Sequence, residues 1–334
     1  MTNRRRALGA AIGIAGAGLA GGFGAPALLF AQSARIPTIA VLFVGDSEDD
    51  ERTARPFFGE MARLGWVEGK TVNYDRHSGK GTRQYVETMV SNAAGSAPDL
   101  IFATTGTLAA AVLKQTDALP VVFATVADPV ASGLVASLAK PGRNASGVYQ
   151  VPGDAAARRF ALVRQAMPQL KRMGSVIDRG AQESGNRKAA HEIAARAHGI
   201  ALVAAEFTNF EAIAKIFAQF KRDGLAVAEI TPSFALTGRR REVVALAERN
   251  GIALVAHRAE WADAGAMLTY GVDLGESYRR AAAIASRILK GAKPAEIAVE
   301  RPKRVEMVVN QRAAHALGIT LPKALLQQAS RVIE

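Results

Sequence analysis

The chain has 334 residues, 49% of them hydrophobic and 22% charged, with no cysteine and a net charge of +12. Without cysteine there can be no disulfide, thiolate metal site or cysteine nucleophile, so stability has to come from the size of the core. The basic balance is not matched by a zinc-finger, aromatic-sheet or helix-turn-helix pattern, so no nucleic-acid partner is expected.

The first segment reads as an export signal. Arg4, Arg5 and Arg6 precede an uncharged Gly/Ala-rich stretch from Ala7 to Phe30, and small residues follow at Ala31. A basic start, an apolar middle and a small-residue cut site form a secretory signal peptide, here residues 1–31 with a loose twin-arginine character. Its glycines and Pro26 argue against a membrane-spanning helix. Gly16, Gly18 and Gly21 match a dinucleotide fingerprint, but no strand precedes them and no acid follows about 20 residues on. The mature chain, about 300 residues, has room for two domains.

From Ile36 onward, apolar runs alternate with helical patterns. The runs are Ile39–Val44, Leu100–Thr104, Val121–Ala124, Val176–Ile177, Ala201–Ala204, Leu225–Ile230, Ala253–Val255 and Met267–Thr269. Between them lie helical segments at Ala54–Leu64, Tyr85–Ala94, Leu108–Thr116, Ala155–Met167, Arg187–His198, Phe210–Lys221, Arg239–Arg249 and Tyr278–Leu289. Continuous apolar strands separated by helices predict an α/β fold with doubly wound parallel sheets. The strands are too many for one sheet, and the rhythm breaks at Tyr149–Gly153. Two similar lobes are therefore expected, joined by a hinge and facing one cleft.

Ligands of such sheets bind beyond the carboxyl ends of the strands. The residues there are Ser47; Thr105, Gly106 and Thr107; Asp128; Ser184 and Asn186; Thr231 and Ser233; and Asp273. Small hydroxyls at helix starts, with free N–H groups and the helix dipole, suit a ligand carboxylate. Asp128 or Asp273 would answer an ammonium. Each of these residues also has a plain role as a helix cap.

Signals of catalysis are weak. There is no G-x-S-x-G elbow, P-loop or H-E-x-x-H, and the histidines are scattered. His191 and His198 are read as surface or packing residues. Glu48-Asp49-Asp50-Glu51 lacks a calcium-loop spacing and is read as a solvated helix start. Lys221-Arg222 and Arg239-Arg240-Arg241 are read as solvated helix faces.

Longer stretches are more specific. Leu64–Lys70, Asp128–Gly142, Tyr270–Leu274, Ile288–Pro294, Val309-Asn310 and Leu317–Pro322 resemble segments of the ABC-transporter substrate-binding proteins that include tryptophan-binding members. The resemblance covers essentially Ile36–Glu334. It implies a type I periplasmic-binding fold and a solute receptor rather than an enzyme. It implies no cofactor and no metal, a periplasmic location, and an inner-membrane ABC permease as partner. By resemblance the chain crosses between lobes near Tyr149–Gly153, His257–Ala262 and Lys293–Val299. Lobe 1 then comprises residues 36–150 and 263–294, and lobe 2 residues 151–262 and 295–334. The implied ligand is an amino acid or another aromatic or carboxylate-bearing compound. Asp178–Glu183 departs from the polar Asn/Ser-rich turn of tryptophan-type members, and Arg179 there is a candidate anchor for an extra carboxylate. An exported sensory receptor and an exported enzyme are the alternatives.

Overall fold

The computed structural model describes residues 35–45, 47–82, 84–150, 155–181 and 184–334. The expected signal peptide and the Val151–Gly153 part of the first crossing lie outside the described residues. Residues 36–334 form one compact unit.

Two sheets organise this unit. In the first, β2 (Asn73–Ser78), β1 (Thr38–Phe43), β3 (Leu100–Ala103), β4 (Val121–Val126) and β5 (Ala145–Tyr149) lie side by side in that order, all parallel. Alternate residues of β1 and β3 face opposite ways, and both faces are apolar because both are covered. Ala40, Leu42, Ile101 and Ala103 pack under α2 (Gln84–Gly95) and α3 (Gly106–Gln115). Ile39, Val41, Phe43, Leu100 and Phe102 pack under α1 (Ser47–Arg63) and α10 (Leu274–Leu289). Phe57 of α1 stacks on Phe102 with ring centroids 3.9 Å apart. Burying side chains of this size is worth roughly 1.5–3 kcal/mol each.

The second sheet has the order β12-β11-β10-β9-β8-β6-β7. Its central strands are β6 (Arg172–Asp178), β8 (Val227–Ile230), β9 (Ala253–Ala256) and β10 (Leu268–Val272), with β7 (Ala201–Phe207) on one edge. One face is covered by α4 (Ala155–Ala166) and α5 (Ser184–Ala197), with α11 (Gln311–Ala316) and α12 (Lys323–Leu326) towards the chain end. The other packs against α6 (Ala212–Arg222), α7 (Phe234–Gly238), α8 (Arg240–Arg249) and α9 (Ala259–Ala264), with Trp261 fully buried among them.

The second sheet is mixed rather than wholly parallel: β11 (Val305–Asn310) runs antiparallel to β10, and β12 (Arg331–Ile333) runs parallel to β11. The chain's route explains this. After β10 it leaves to lay α10 on the first sheet, then returns past β5, where Val148 bridges Glu300. It therefore re-enters the second sheet from the junction end and must run down the strand rather than up. The same route divides residues 263–294: β10 hydrogen-bonds in the second sheet, and α10 packs on the first. The turn between them is at Asp273, whose carboxylate caps α10 by accepting from the Glu276 N–H at 3.1 Å.

Candidate functional site

The carboxyl ends of the strands in both sheets meet at one junction. From the first sheet come Phe43 and Val44 at the end of β1, Asp50 and Thr53 on α1, Thr104 and Thr105 after β3, and Tyr278 on α10. From the second come Thr237 of α7, Arg240 of α8, and Arg258 and Glu260 at the start of α9. An ion pair joins the two sides: Arg240 Nη1 lies 3.1 Å from Asp50 Oδ1. Both side chains are almost fully buried, and each is held on its own side. Asp50 Oδ2 accepts from the Gly45 N–H at 2.7 Å, and Arg240 also donates to the Thr237 carbonyl at 3.1 Å.

Backbones as well as side chains meet here. A β-carbon on Gly45 would sit 2.6 Å from the Gly238 carbonyl oxygen, and one on Gly238 would collide with the Gly81 backbone. Only hydrogen at these positions lets the loops after β1 and β2 approach the end of α7. Phe234 of α7 reaches across and packs with Val44, Val86 and Met89 in the first sheet's core.

Two cavities open between these walls. The smaller, of about 10 Å³, lies between Thr104, Thr105 and Tyr278 on one side and Thr237, Arg258 and Glu260 on the other. The larger, of about 230 Å³, is lined by Arg52, Arg240, Arg241, Asp263, Glu306 and Arg331 among others. Thr53 and Glu260 belong to the walls of both. Arg258 pairs with Glu260 through Nη2 and Oε1. Burial pushes the Tyr278 phenol well above its ordinary range; the Glu260 charge adds to this and the Arg258 charge opposes it. Tyr278 therefore stays a neutral hydroxyl at the floor of the site. In the larger cavity, burial and then the neighbouring Asp273 raise the Glu306 carboxyl, with Arg331 opposing. Among the described residues no cluster of His, Asp and Glu could hold a metal ion.

The predicted site residues fall into three groups. Thr105 lines the small cavity and also caps α3, accepting from the Leu108 N–H at 3.5 Å; Gly106 follows it, and Thr107 is exposed on the first turn. Thr231, Ser233, Asp128 and Asp273 are committed to backbone and caps. Buried Thr231 donates to the Val176 carbonyl at 2.9 Å, tying β8 to β6. Buried Ser233 donates to Asp178 Oδ2 at 2.7 Å and caps α7. Exposed Asp128 accepts from the Val130 and Ala131 N–H groups at 3.0 and 2.9 Å. Ser47 opens α1, and Ser184 and Asn186 open α5, but their side chains lie outside the described residues.

Two charged runs differ from expectation. Arg240, expected on a solvated face, is 6% exposed. Asp50, expected at a solvated helix start, is its buried partner. Local sequence could not pair them, because the partners are 190 residues apart. Arg258, Glu260 and Tyr278 were also missed, since nothing in their spacing marks a pair that only the fold assembles. Arg179 is mostly exposed and pairs with Glu206, 3.0 Å away, on the rim of β7.

A curated relative, a tyrosine-binding protein of Clostridioides difficile, is 22% identical over 279 residues, covering 80% of this chain and 77% of that protein. A conserved domain protein of Vibrio cholerae has the same fold, with a TM-score of 0.79 at 22% identity, over 89% of this chain and all of that one. So does an ABC domain from Streptococcus pneumonia in complex with L-Trp, with a TM-score of 0.78 at 22% identity over 89% of this chain and 99% of that chain. The sequence profile for ABC transporter substrate binding proteins matches residues 38–333, almost the whole described chain, and the protein belongs to that family.

Proposed function

We propose that this protein is an exported solute receptor that captures an amino acid between its two lobes and presents it to an inner-membrane ABC permease. The observation that carries the reading is the junction itself. The strand ends of both sheets open onto shared cavities whose walls come from both sides, and a buried cross-junction pair, Asp50–Arg240, links them. Solute contacts made to both walls at once favour closure, because only differential affinity shifts an open–closed equilibrium. The ligands of the two relatives, tyrosine and L-Trp, support an amino acid as the class. In this reading the first lobe holds β1–β5 with α10, the second holds β6–β12, and the export signal delivers the mature chain to the periplasm. The protein carries out no chemistry of its own. Thr105 touches the solute, while Thr231, Ser233, Asp128 and Asp273 hold the strand ends and helix starts around it.

A thermal-shift screen of protein unfolded and refolded to strip carried-over solute tests this reading. A solute at a hundred times its dissociation constant adds about 2.7 kcal/mol, enough to raise the midpoint by several degrees. A shift with amino acids is expected. A shift confined to sugars would overturn the amino-acid class, and reproducible turnover of a substrate would overturn the receptor.

A further inference from the structure

Arg258 and Glu260 form a buried pair that is incomplete. Their side chains are 10% and 9% exposed. Within the pair, Arg258 Nη2 satisfies Glu260 Oε1. Glu260 Oε2 and Arg258 Nε are both buried, and neither has a hydrogen-bond partner among the described residues. Leaving buried charged groups short of a partner costs more than an ordinary hydrogen bond returns, so such a pair in a binding junction points to a partner that arrives from outside.

The surroundings define that partner. Glu260 stands on the wall between the two cavities. The smaller, about 10 Å³, is roughly one water-sized sphere, which is also the size of an ammonium group. The larger, about 230 Å³, has room for a side chain. Tyr278, a neutral phenol beside the pair, adds no second negative charge that would draw a cation away from the carboxylate.

We propose that Arg258 and Glu260 read the two charged ends of an amino acid, Glu260 Oε2 accepting from its ammonium and Arg258 Nε donating to its carboxylate. The inference rests on the receptor reading above and makes it more specific. Residues at the start of α9, rather than the hydroxyls at the strand ends, select an amino acid over an acid or amine of the same shape.

The test is titration calorimetry on refolded protein with L-tyrosine and L-tryptophan. It also uses analogues lacking the amine, 3-(4-hydroxyphenyl)propionate and indole-3-propionate, and lacking the carboxylate, tyramine and tryptamine. The wild type should bind an amino acid at least about 10-fold more tightly than its deaminated analogue, a gap of about 1.4 kcal/mol. Glu260→Gln should close that gap by weakening only ligands with an amine. Arg258→Gln, a second route if Glu260→Gln fails to fold, should weaken the carboxylate-bearing ligands and spare the two amines. Circular dichroism midpoints report folding of each variant. Wild-type binding of an amino acid with the amine preference intact in Glu260→Gln would overturn this inference and leave the receptor standing. Binding of a sugar and of none of these six compounds would overturn this inference together with the amino-acid class.

Discussion

Glu229 on β8 and Glu260 on α9 are both buried acids, and only the first has all its hydrogen bonds. Glu229, in the middle of β8, is 1% exposed. Ser175 of β6 donates to its Oε1 at 2.8 Å, and His191 Nδ1 lies 2.9 and 3.0 Å from its two oxygens. Arg159, fully enclosed behind it, donates to the Tyr270 carbonyl at 3.2 Å. Burial pushes the Glu229 carboxyl up, yet the His191 bond and charge, followed by the Arg159 charge, bring it below the usual carboxylate range. Every oxygen of Glu229 is answered by the protein, so it is part of the scaffold. Glu260 has one oxygen answered by Arg258 and one left over, at a place where cavities open. Removing one partner of the completed cluster would strand a buried charge, whereas the incomplete oxygen of Glu260 is the one proposed to take a solute.

This contrast predicts which changes cost stability and which cost affinity. The largest effect is expected at the completed site. Glu229→Gln leaves Arg159 without its counter-charge and should destabilise the protein by about 3–5 kcal/mol in urea unfolding, with affinity per folded molecule unchanged. A loss of affinity at full stability would break the contrast. The same group sets an acid limb. Because its folded pKa is depressed, its contribution is present above the unfolded value, about 4.3, and is lost as pH falls through the folded pKa. The wild type should therefore lose stability more steeply than Glu229→Gln below about pH 4.3, and parallel curves would contradict the pairing.

Next in size is Gly238→Ala. The added methyl would collide with the Gly81 Cα across the junction, and in the receptor reading that clash is relieved when the lobes part. Overpacking of this kind costs about 1–3 kcal/mol, so affinity should fall about 10-fold or more by calorimetry while the unliganded unfolding midpoint moves little. A smaller effect is expected at Thr105. Thr105→Ala should cost about 1 kcal/mol of stability through the lost α3 cap, whereas Thr105→Asn should retain it. Any fall in affinity common to both variants would separate a solute contact from the cap. Smallest is Arg179→Ala. An exposed pair with Glu206 is worth at most about 1 kcal/mol, so both stability and affinity should stay within about 0.5 kcal/mol of wild type. A large loss of affinity there would restore Arg179 as a carboxylate anchor.

Much of the scaffold is visible in local patterns. The apolar runs at Ile39–Val44 and Leu100–Thr104 correspond to β1 and β3, because strands buried on both faces carry uninterrupted hydrophobic residues. Strands with other patterns escaped notice. β2, with the sequence Asn-Tyr-Asp-Arg-His-Ser, is a half-buried edge strand with almost no apolar signal. β11 begins Val-Glu and takes its direction from a chain reversal, not from composition. The strand-end hydroxyls stand out in the sequence as candidate solute contacts with capping as their plain alternative, and Thr105 and Ser233 do cap α3 and α7, since a cap is a local bond between a residue and the next three. Their role towards a solute is a separate matter, because a cap and a ligand contact use the same atoms.

The sequence by itself determined the alternation of strands and helices, the two-lobed α/β class and the family, because each is written in neighbouring residues or in long ordered segments. Only the tertiary structure decided which charges are buried together. Asp50 with Arg240, Glu229 with Arg159 and His191, and the strand ends that frame Arg258 and Glu260 are far apart along the chain. Their energies depend on desolvation and on a partner's position, and both exist only once the two sheets have met.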